Sequence, residues 1–409
     1  MDALSWAAWT AAGAAAGFLA GLVPGLHANT LLPLLPLLPG GVEALAAGVP
    51  AFATAHGIAA LVPATYVGVP DPDGAVIPLP AHRLLHDGRG PFAIRVAVHA
   101  TLLATLLGVL LLWPAKWLLD EPGRASDALA AVTPWALAAL CGWILWAGRR
   151  RFGPNTLVFA LAAALGLLAS RFHPAGILGP LLPLGPVLAG LFGGAGLVEA
   201  VRGTNPVPEQ RDDPPSRRTR RATATAALAG SLAALVLLPV SAATPAVAAS
   251  FIPARTPERS LASLAAVGAA HQTLALGALW ATGRPRTGLA GALVPAAQAQ
   301  PWAWGSPPPL LLALLLAVLA SALLACPAAV WVGRSVPRFL ARWPPRVLPT
   351  TALAFLSVLQ LGLGGWQALV LFAAALFVGL VPLATGARRL QLVACLVVPA
   401  LARSLGLTP

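Results

Sequence analysis

Long apolar runs alternate with short clusters of arginine, proline and glycine along the whole chain. A helix needs about 20 apolar residues to cross about 30 Å of hydrocarbon, and the runs reach this length repeatedly. The pattern predicts membrane helices at 4–24, 43–67, 92–118, 126–148, 154–171, 176–201, 223–238, 258–282, 305–332, 347–365, 367–384 and 389–407. The polar stretch RGTNPVPEQRDDPPSRRTRR, at 202–221, predicts an exposed loop between two groups of helices.

The composition is that of an integral membrane protein. Of the 409 residues 58% are hydrophobic and 10% charged, and the mean hydropathy is +0.80. Soluble domains carry about 25% charged residues. We therefore expect an all-α polytopic membrane protein with about 10–12 transmembrane helices plus re-entrant or broken segments. The run that begins at Leu4 has neither a basic leader nor a cleavage motif, which predicts a retained helix.

Positive charge is concentrated in clusters between the apolar runs. The net charge is +13, and clusters in such places are typical of cytoplasmic loops in the cell membrane rather than of a nucleic-acid surface. The clusters are Arg83, Arg89 and Arg95; Arg149–Arg151; Arg217, Arg218, Arg220 and Arg221; Arg334, Arg338, Arg342 and Arg346; and Arg388 with Arg389. The connection near 296–308 is uncharged, which predicts the outer face.

The second half of the sequence repeats the first. Residues 54–80 align without a gap on 269–295, with matched His, Gly and Pro residues 215 positions apart. The matched pairs are His56 and His271, Gly68 and Gly283, Pro70 and Pro285, and Pro80 and Pro295. This predicts a first half at 1–201 with a core at 16–80, a linker at 202–222, and a second half at 223–409 with a core at 229–295.

The charge pattern predicts that the two repeats cross the membrane in opposite senses. The first leads into the arginine-rich loop 83–95 and the second into the uncharged connection 296–308. Inverted repeats with segments interrupted by Gly and Pro are typical of secondary transporters, whose substrate site lies near the membrane midplane. We therefore expect the site between the two repeats, with the lipid bilayer and a small anionic substrate as partners.

The first broken segment is GFLAGLVPGLHANTLLPLLPLLPGG, which begins at Gly17. Pro24 and Gly25 interrupt the apolar run, and His27, Asn29 and Thr30 follow at once. Irregular backbone at membrane depth requires polar partners. Exposed N–H groups after such a break, together with the helix dipole, attract anions, so these five residues are candidate substrate ligands.

The two repeats carry opposite charges at equivalent turns. Asp71 and Asp73 lie in GVPDPDG, whereas Arg284 and Arg286 lie in GRPRTG. In one interpretation the arginines bind an anionic substrate and the aspartates bind Na⁺ or H⁺ as the coupling ion, because charges at that depth are costly and usually functional. In the other, these residues form a structural salt bridge or two solvated loops at opposite surfaces.

Further polar residues lie within the repeated units. His56 and His271 are candidates for proton relay, because histidine changes its charge near neutral pH; packing between helices is the alternative role. Ser241, Thr244 and Gln272 are candidate substrate donors, although serine and threonine also serve as ordinary helix contacts in membranes. HExxH, GxSxG and Walker motifs are absent from the sequence, so neither an enzyme, nor a metal site, nor an organic cofactor is expected.

The chain resembles the large membrane subunit of tripartite tricarboxylate transporters, the TctA family, and most of all its archaeal-type branch. GFLAGLVPGLHANTLLPLLP, the segment beginning GVPDPDGAVIPLPAHRLLHDGRG, LPLGPVLAGLFG and GARRLQLVACLVVPAL carry the resemblance. It implies a permease with two inverted repeats that moves a small carboxylate with an ion gradient. In bacterial relatives a soluble binding protein and a small membrane subunit assist. Two departures are Val240, where the family motif has glycine, and His27-Ala28-Asn29 in place of small residues.

Two other functions remain open at this point. The first is a translocase for a polyprenyl phosphate, which predicts a lateral opening to the bilayer beside Pro24 and Gly25. The second is a membrane scaffold without transport activity, which predicts a dry interior filled by leucine and alanine, with Asp71 far from Arg286.

Overall fold

The structure, a computed structural model, describes residues 2–26, 28, 31, 41–68, 78–119, 125–172, 175–176, 179–180, 184–203, 208–238, 256–283, 285, 287–302 and 305–407. The helices in chain order are α1 (Ala3–Gly21), α2 (Gly41–Ala59), α3 (Leu61–Tyr66), α4 (Pro78–His86), α5 (Gly90–Leu110), α6 (Leu112–Leu119), α7 (Ala125–Ala147), α8 (Phe152–Ser170), α9 (Leu184–Leu188), α10 (Ala195–Arg202), α11 (Arg217–Leu237), α12 (Pro257–Thr282), α13 (Gly288–Gly291), α14 (Val294–Ala299), α15 (Pro309–Leu340), α16 (Val347–Thr385) and α17 (Ala394–Ser404).

The architecture is all-α and polytopic, as the sequence predicts. Seven described helices are long and apolar enough to cross a membrane: Ala3–Gly21, Ala44–Tyr66, Gly90–Leu110, Arg149–Ser170, Pro257–Thr282, Pro309–Leu340 and Val347–Thr385. A π-helical turn (Ala189–Gly194) joins α9 to α10, and 3-10 turns precede α8 and α17. β1 (Ala175–Gly176) and β2 (Gly179–Pro180) form a short antiparallel pair.

Several predicted bounds differ from the structure: 92–118 divides into α5 and α6, 305–332 extends to Leu340, and 389–407 is a 3-10 turn followed by α17. Two further differences have clear local reasons. The segment predicted as one helix at 176–201 contains residues of the β1–β2 pair at its start, and its first described helix begins at Leu184. The first half of this segment is rich in glycine and proline, which disfavour a helix. The predicted loop 202–221 ends inside α11, which begins at Arg217. Ser216 caps that helix by accepting a hydrogen bond from the backbone N–H of Thr219 at 3.1 Å.

The first two helices run parallel in close contact. Gly13, Gly17 and Gly21 of α1 lie directly against the backbone of Gly48, Phe52 and His56, each partner 35 positions later. A side chain at any of these glycines would collide with that backbone, so the stripe of glycines allows the approach.

Helices of each half pack against helices of the other half. In the first half, α2 and α3 run parallel to α15 of the second half: Ser321 Oγ donates to Ala51 O and Tyr66 OH donates to Gly333 O, both at 2.7 Å. In the second half, α12 runs parallel to α5 of the first. There the Arg89 guanidinium pairs with Glu258 at 2.9 Å.

The equivalent helices of the two halves run antiparallel. Cys326 Sγ of α15 lies 3.9 Å from Val98 O of α5, and farther along α15 Gly333 lies against Ile94, which is earlier in α5. Since α2 follows the direction of α15 and α12 that of α5, α2 and α12 also point in opposite directions. This is the arrangement of two inverted repeats.

A second bundle surrounds α16, which bends at Gly365. That glycine has φ 64° and ψ −166°, a conformation that favours glycine. The 39-residue element would be about 58 Å long if straight, yet Val347 and Leu383 near its two ends line the same cavity. The element therefore crosses the membrane and returns, in agreement with the predicted helices at 347–365 and 367–384.

The two ends of the fold differ in charge. Residues from all five predicted cytoplasmic segments line one cavity at one end. At the other end Lys116, the only lysine in the sequence, donates to Trp302 O at 2.7 Å and lies 4.9 Å from the centroid of the Trp302 ring. The arginine clusters therefore share one end, and the connection containing Trp302 lies at the other.

Candidate functional site

The predicted break after α1 is present. The helix ends at Gly21, and residues 22–25 form turns in which Gly25 has φ 79°. Pro24 is buried. A Cβ placed on Gly193, in the π-helical turn, would lie 3.0 Å from Gly25 Cα. The break is therefore enclosed by the π-helical turn, whose own glycines permit the close approach.

A hydrogen bond from His56 connects this broken segment to α2. Its Nε2 lies 3.0 Å from Leu26 O, and since a carbonyl oxygen can only accept, the ring nitrogen is the donor. His56 is 2% exposed and lies near the middle of the 23-residue span Ala44–Tyr66. The bond satisfies a carbonyl that has left the helix at membrane depth, where no bulk water is available.

The two repeats meet at mid-depth beside this histidine. A Cβ on Gly57 of α2 would lie 3.6 Å from Gln272 Oε1 of α12, the nearest atom within 4 Å. Gly57 is exposed although its neighbours His56 and Ile58 are buried. The two helices have the highest buried shares among the seven spans, 78% and 83%. The exposed surface at Gly57 and the amide of Gln272 beside it mark a place where the two halves meet, which we call the central site.

The central site combines some of the predicted residues with one that the sequence analysis missed. His56 and Gln272 lie beside it, and His271, which is 4% exposed, is the neighbour of Gln272 in α12. Gly57 was missed because a glycine inside an apolar helix carries no chemical signal. Other predicted site residues lie outside the part of the chain that the structure describes: His27, Asn29, Thr30, Asp71, Asp73, Ser241, Thr244, Arg284 and Arg286.

A large basic cavity occupies the arginine end of the fold; we call it the vestibule. Its volume is about 2450 Å³. Among the described residues that line it, six are arginines and three are carboxylates: Arg83, Arg149, Arg150, Arg338, Arg388, Arg389, Asp87, Glu199 and Glu209. Arg389 pairs with Glu199. The remaining excess of arginine makes the potential positive, which concentrates anions in a cleft.

The vestibule leads toward one predicted site segment. Tyr66, Val67 and Gly68 line its wall, and Gly68 immediately precedes the segment that contains Asp71 and Asp73. The arginine clusters in the sequence predict the orientation of the chain, but their convergence on one cavity is visible only in the fold.

A family model matches residues 7–394, almost the whole chain. The chain belongs to the tripartite tricarboxylate transporter TctA family. Searches of curated proteins and of solved structures gave no significant match. The resemblance found in the sequence motifs is thus confirmed, and this TctA-family protein is a multi-pass membrane component of a transporter family rather than a member of an enzyme family.

His82 adds a titratable group to the vestibule wall. Its Nε2 is buried, has no hydrogen-bond partner among the described residues, and lies against Gly68, whose φ is +74°. Burial is the main cause that lowers the pKa of His82 to about 4, and the nearby His86 and Arg389 act in the same direction. α4, which carries His82, is not among the seven spans.

Replacing His56 should destabilise the broken segment. His56→Leu leaves the carbonyl of Leu26 without its donor. An unsatisfied buried carbonyl lowers the free energy of unfolding by about 1–3 kcal/mol. We expect a lower melting temperature for the purified protein in detergent, measured by a thermal-shift assay. His56→Gln, which retains an N–H donor, should recover part of the loss, and His86→Leu at an exposed position should melt like the wild type. Equal melting temperatures for H56L and H86L would contradict this role.

His82 should contribute to destabilisation in acid. Its folded pKa of about 4 lies below the ordinary value of 6.5, so the unfolded chain binds the proton first as the pH falls. The stability that depends on neutral His82 is complete above pH 6.5 and is lost progressively down to about pH 4. His82→Gln should show a smaller drop in melting temperature over this range than the wild type. Thr351→Val, elsewhere on the vestibule wall, should keep the wild-type drop, and an unchanged drop in H82Q would exclude the effect.

Proposed function

We propose that this TctA-family chain is an ion-coupled permease of the cell membrane for a small organic anion, in particular a carboxylate. The substrate binds at the central site between the inverted repeats and passes through the vestibule on the cytoplasmic side. Na⁺ or H⁺ supplies the driving gradient, without an organic cofactor or enzymatic step. A binding protein and a small membrane subunit act as partners, in keeping with the tripartite systems for which the family is named.

The observation that carries this proposal is the exposed Gly57 at mid-depth. It lies where two antiparallel, otherwise buried helices meet, with the amide oxygen of Gln272 opposite. A substrate site near the midplane, at the interface of inverted repeats and beside an interrupted helix, is the general design of secondary transporters. Broken backbone beside such a site offers N–H groups to an anion.

The charge of the vestibule supports an anionic substrate. Its described lining includes six arginines and three carboxylates, so its potential favours anions over cations. Within the proposal, Arg284, Arg286 and the N–H groups of the broken segments hold the substrate, with Ser241, Thr244 and the polar residues after Gly25 as further donors. Asp71 and Asp73 bind the coupling ion.

The described geometry favours this function over the two alternatives. A polyprenyl-phosphate translocase predicts a lateral opening beside Pro24 and Gly25, but Pro24 is buried and Gly25 packs against Gly193. A scaffold predicts a dry, filled interior, whereas Gly57 is exposed between the halves. Both observations support a soluble substrate within the protein.

Filling the central site should abolish transport while leaving the fold intact. Gly57→Leu adds a side chain where open space begins, with Gln272 Oε1 at ordinary contact distance from its Cβ. We expect proteoliposomes containing G57L to lose at least about 90% of carboxylate uptake, because a substituent that costs about 1.4 kcal/mol in binding already reduces affinity tenfold. The assay uses a panel of carboxylates and prenyl phosphates under an imposed Na⁺ or H⁺ gradient.

Gly142→Leu is the matched control. Gly142 lies on an exposed position of α7 and also has open space around its Cβ, so the substitution is the same but lies outside the central site. G142L should transport at the wild-type rate. Normal uptake by G57L would exclude the central site, and movement of prenyl phosphates with no effect of carboxylates would overturn the choice of substrate.

A further inference from the structure

A second groove lies between α5, α11 and α15, near the arginine end of the fold. Its volume is about 540 Å³. Three guanidinium groups, those of Arg95, Arg220 and Arg334, lie in its lining together with apolar residues that include Val98, Val330 and Trp331. α5 belongs to the first half of the chain and α11 and α15 to the second, so the groove bridges the two repeats.

The polar mouth of the groove has more positive than negative charge. Asp212 pairs with both Arg95 and Arg334, the latter at 3.1 Å, and Arg95 Nη1 donates to Asp213 O at 2.7 Å. Arg220 Nε donates to Pro215 O at 3.2 Å. Asp212 thus pairs with two of the three arginines that line the groove. Three guanidinium groups still outnumber the carboxylates when the neighbouring Asp213, which also acts on Arg95, is counted. In addition, Nε of Arg95 is buried and lacks a hydrogen-bond partner among the described residues.

The wall of the groove runs along the apolar part of the helices. From Arg95 to Leu102, both of which line the groove, α5 rises about 10 Å. Trp331 is 69% exposed and lies one helical turn from Arg334, a pairing of aromatic and basic residues that is typical of the membrane interface. The charged mouth therefore lies at headgroup level, with the apolar wall at the depth of the acyl chains.

We propose that this groove binds an anionic phospholipid of the leaflet on the arginine side. The lipid phosphate accepts hydrogen bonds from the exposed guanidinium groups of Arg220 and Arg334 and is attracted by the charge of Arg95. One acyl chain lies along Val98, Val330 and Trp331. Guanidinium groups suit phosphate by charge and by geometry, and basic pockets between membrane helices on the cytoplasmic side suit lipid headgroups. The site is separate from the central site and does not depend on the transported substrate.

Native mass spectrometry of the purified full chain tests this site. The protein is released from mixed micelles with equimolar phosphatidylglycerol and phosphatidylcholine of identical acyl chains, and the retained lipids are counted. We expect the wild type to retain phosphatidylglycerol preferentially. Equal retention of the two lipids would overturn the proposal.

Two variants separate the groove from general surface charge. Each arginine near the headgroups contributes about fivefold to binding, so Arg220→Ala with Arg334→Ala should weaken retention of phosphatidylglycerol about 25-fold. Arg342→Ala removes an exposed arginine at the same end that does not line the groove and should retain the lipid as the wild type does. Equal loss in R342A and in the double variant would overturn the site.

A third variant and a soluble competitor complete the test, including the case in which the double variant does not fold. Val330→Trp fills the apolar wall and keeps every arginine, so we expect it also to lose the bound phosphatidylglycerol; unchanged retention would exclude the acyl-chain contact. Glycerol 3-phosphate, which has the phosphate but lacks the chains, should not displace the lipid. Displacement by glycerol 3-phosphate at the same concentration as the lipid would identify a site for free phosphates instead.

Discussion

A broken helix inside a membrane needs a partner for every backbone group that leaves the helical pattern, since the hydrocarbon offers none. Here the ring of His56 donates to the carbonyl of Leu26 directly after the break. The glycine stripe of α1 holds α2 close enough for that contact. The irregular segment is therefore held against a buried helix at mid-depth.

The inverted arrangement of the two halves places the hydrogen-bonded broken segment beside the meeting point of α2 and α12. α2 and α12 are the equivalent central helices, they run antiparallel, and they meet at Gly57 and Gln272. Helices α2 and α3 of the first half pack against α15 of the second, and α12 of the second packs against α5 of the first. The vestibule opens at one end of this interface and the lipid groove flanks it. In the proposed function the charge of the vestibule attracts anions toward the central site, while the apolar contacts hold the halves together.

The sequence predicts the architecture better than it predicts the site. Hydropathy, the arginine clusters and the 215-residue displacement predict most of the helices, the shared basic end and the antiparallel halves, because these depend on periodicity and transfer energy. The break at Pro24 follows from backbone chemistry. By contrast, the convergence of six described arginines on one cavity depends on tertiary packing. Gly57 can be recognised as a site residue only from its position opposite Gln272. The helix predicted at 176–201 fails because glycine and proline outweigh its apolar character. Roles for Asp71 and Arg286 stay predictions, since both residues lie outside the described chain.

Water accessibility at position 57 is the most direct test of the account. In a background in which Cys141, Cys326 and Cys395 are replaced by serine, Gly57→Cys places one thiol at the meeting point of the repeats. We predict that a charged, water-soluble methanethiosulfonate modifies this thiol in membranes, and that a transported carboxylate slows the modification. A thiol that reacts only with lipid-soluble reagents, or that reacts at the same rate with and without every carboxylate, would contradict a wet substrate site between the halves.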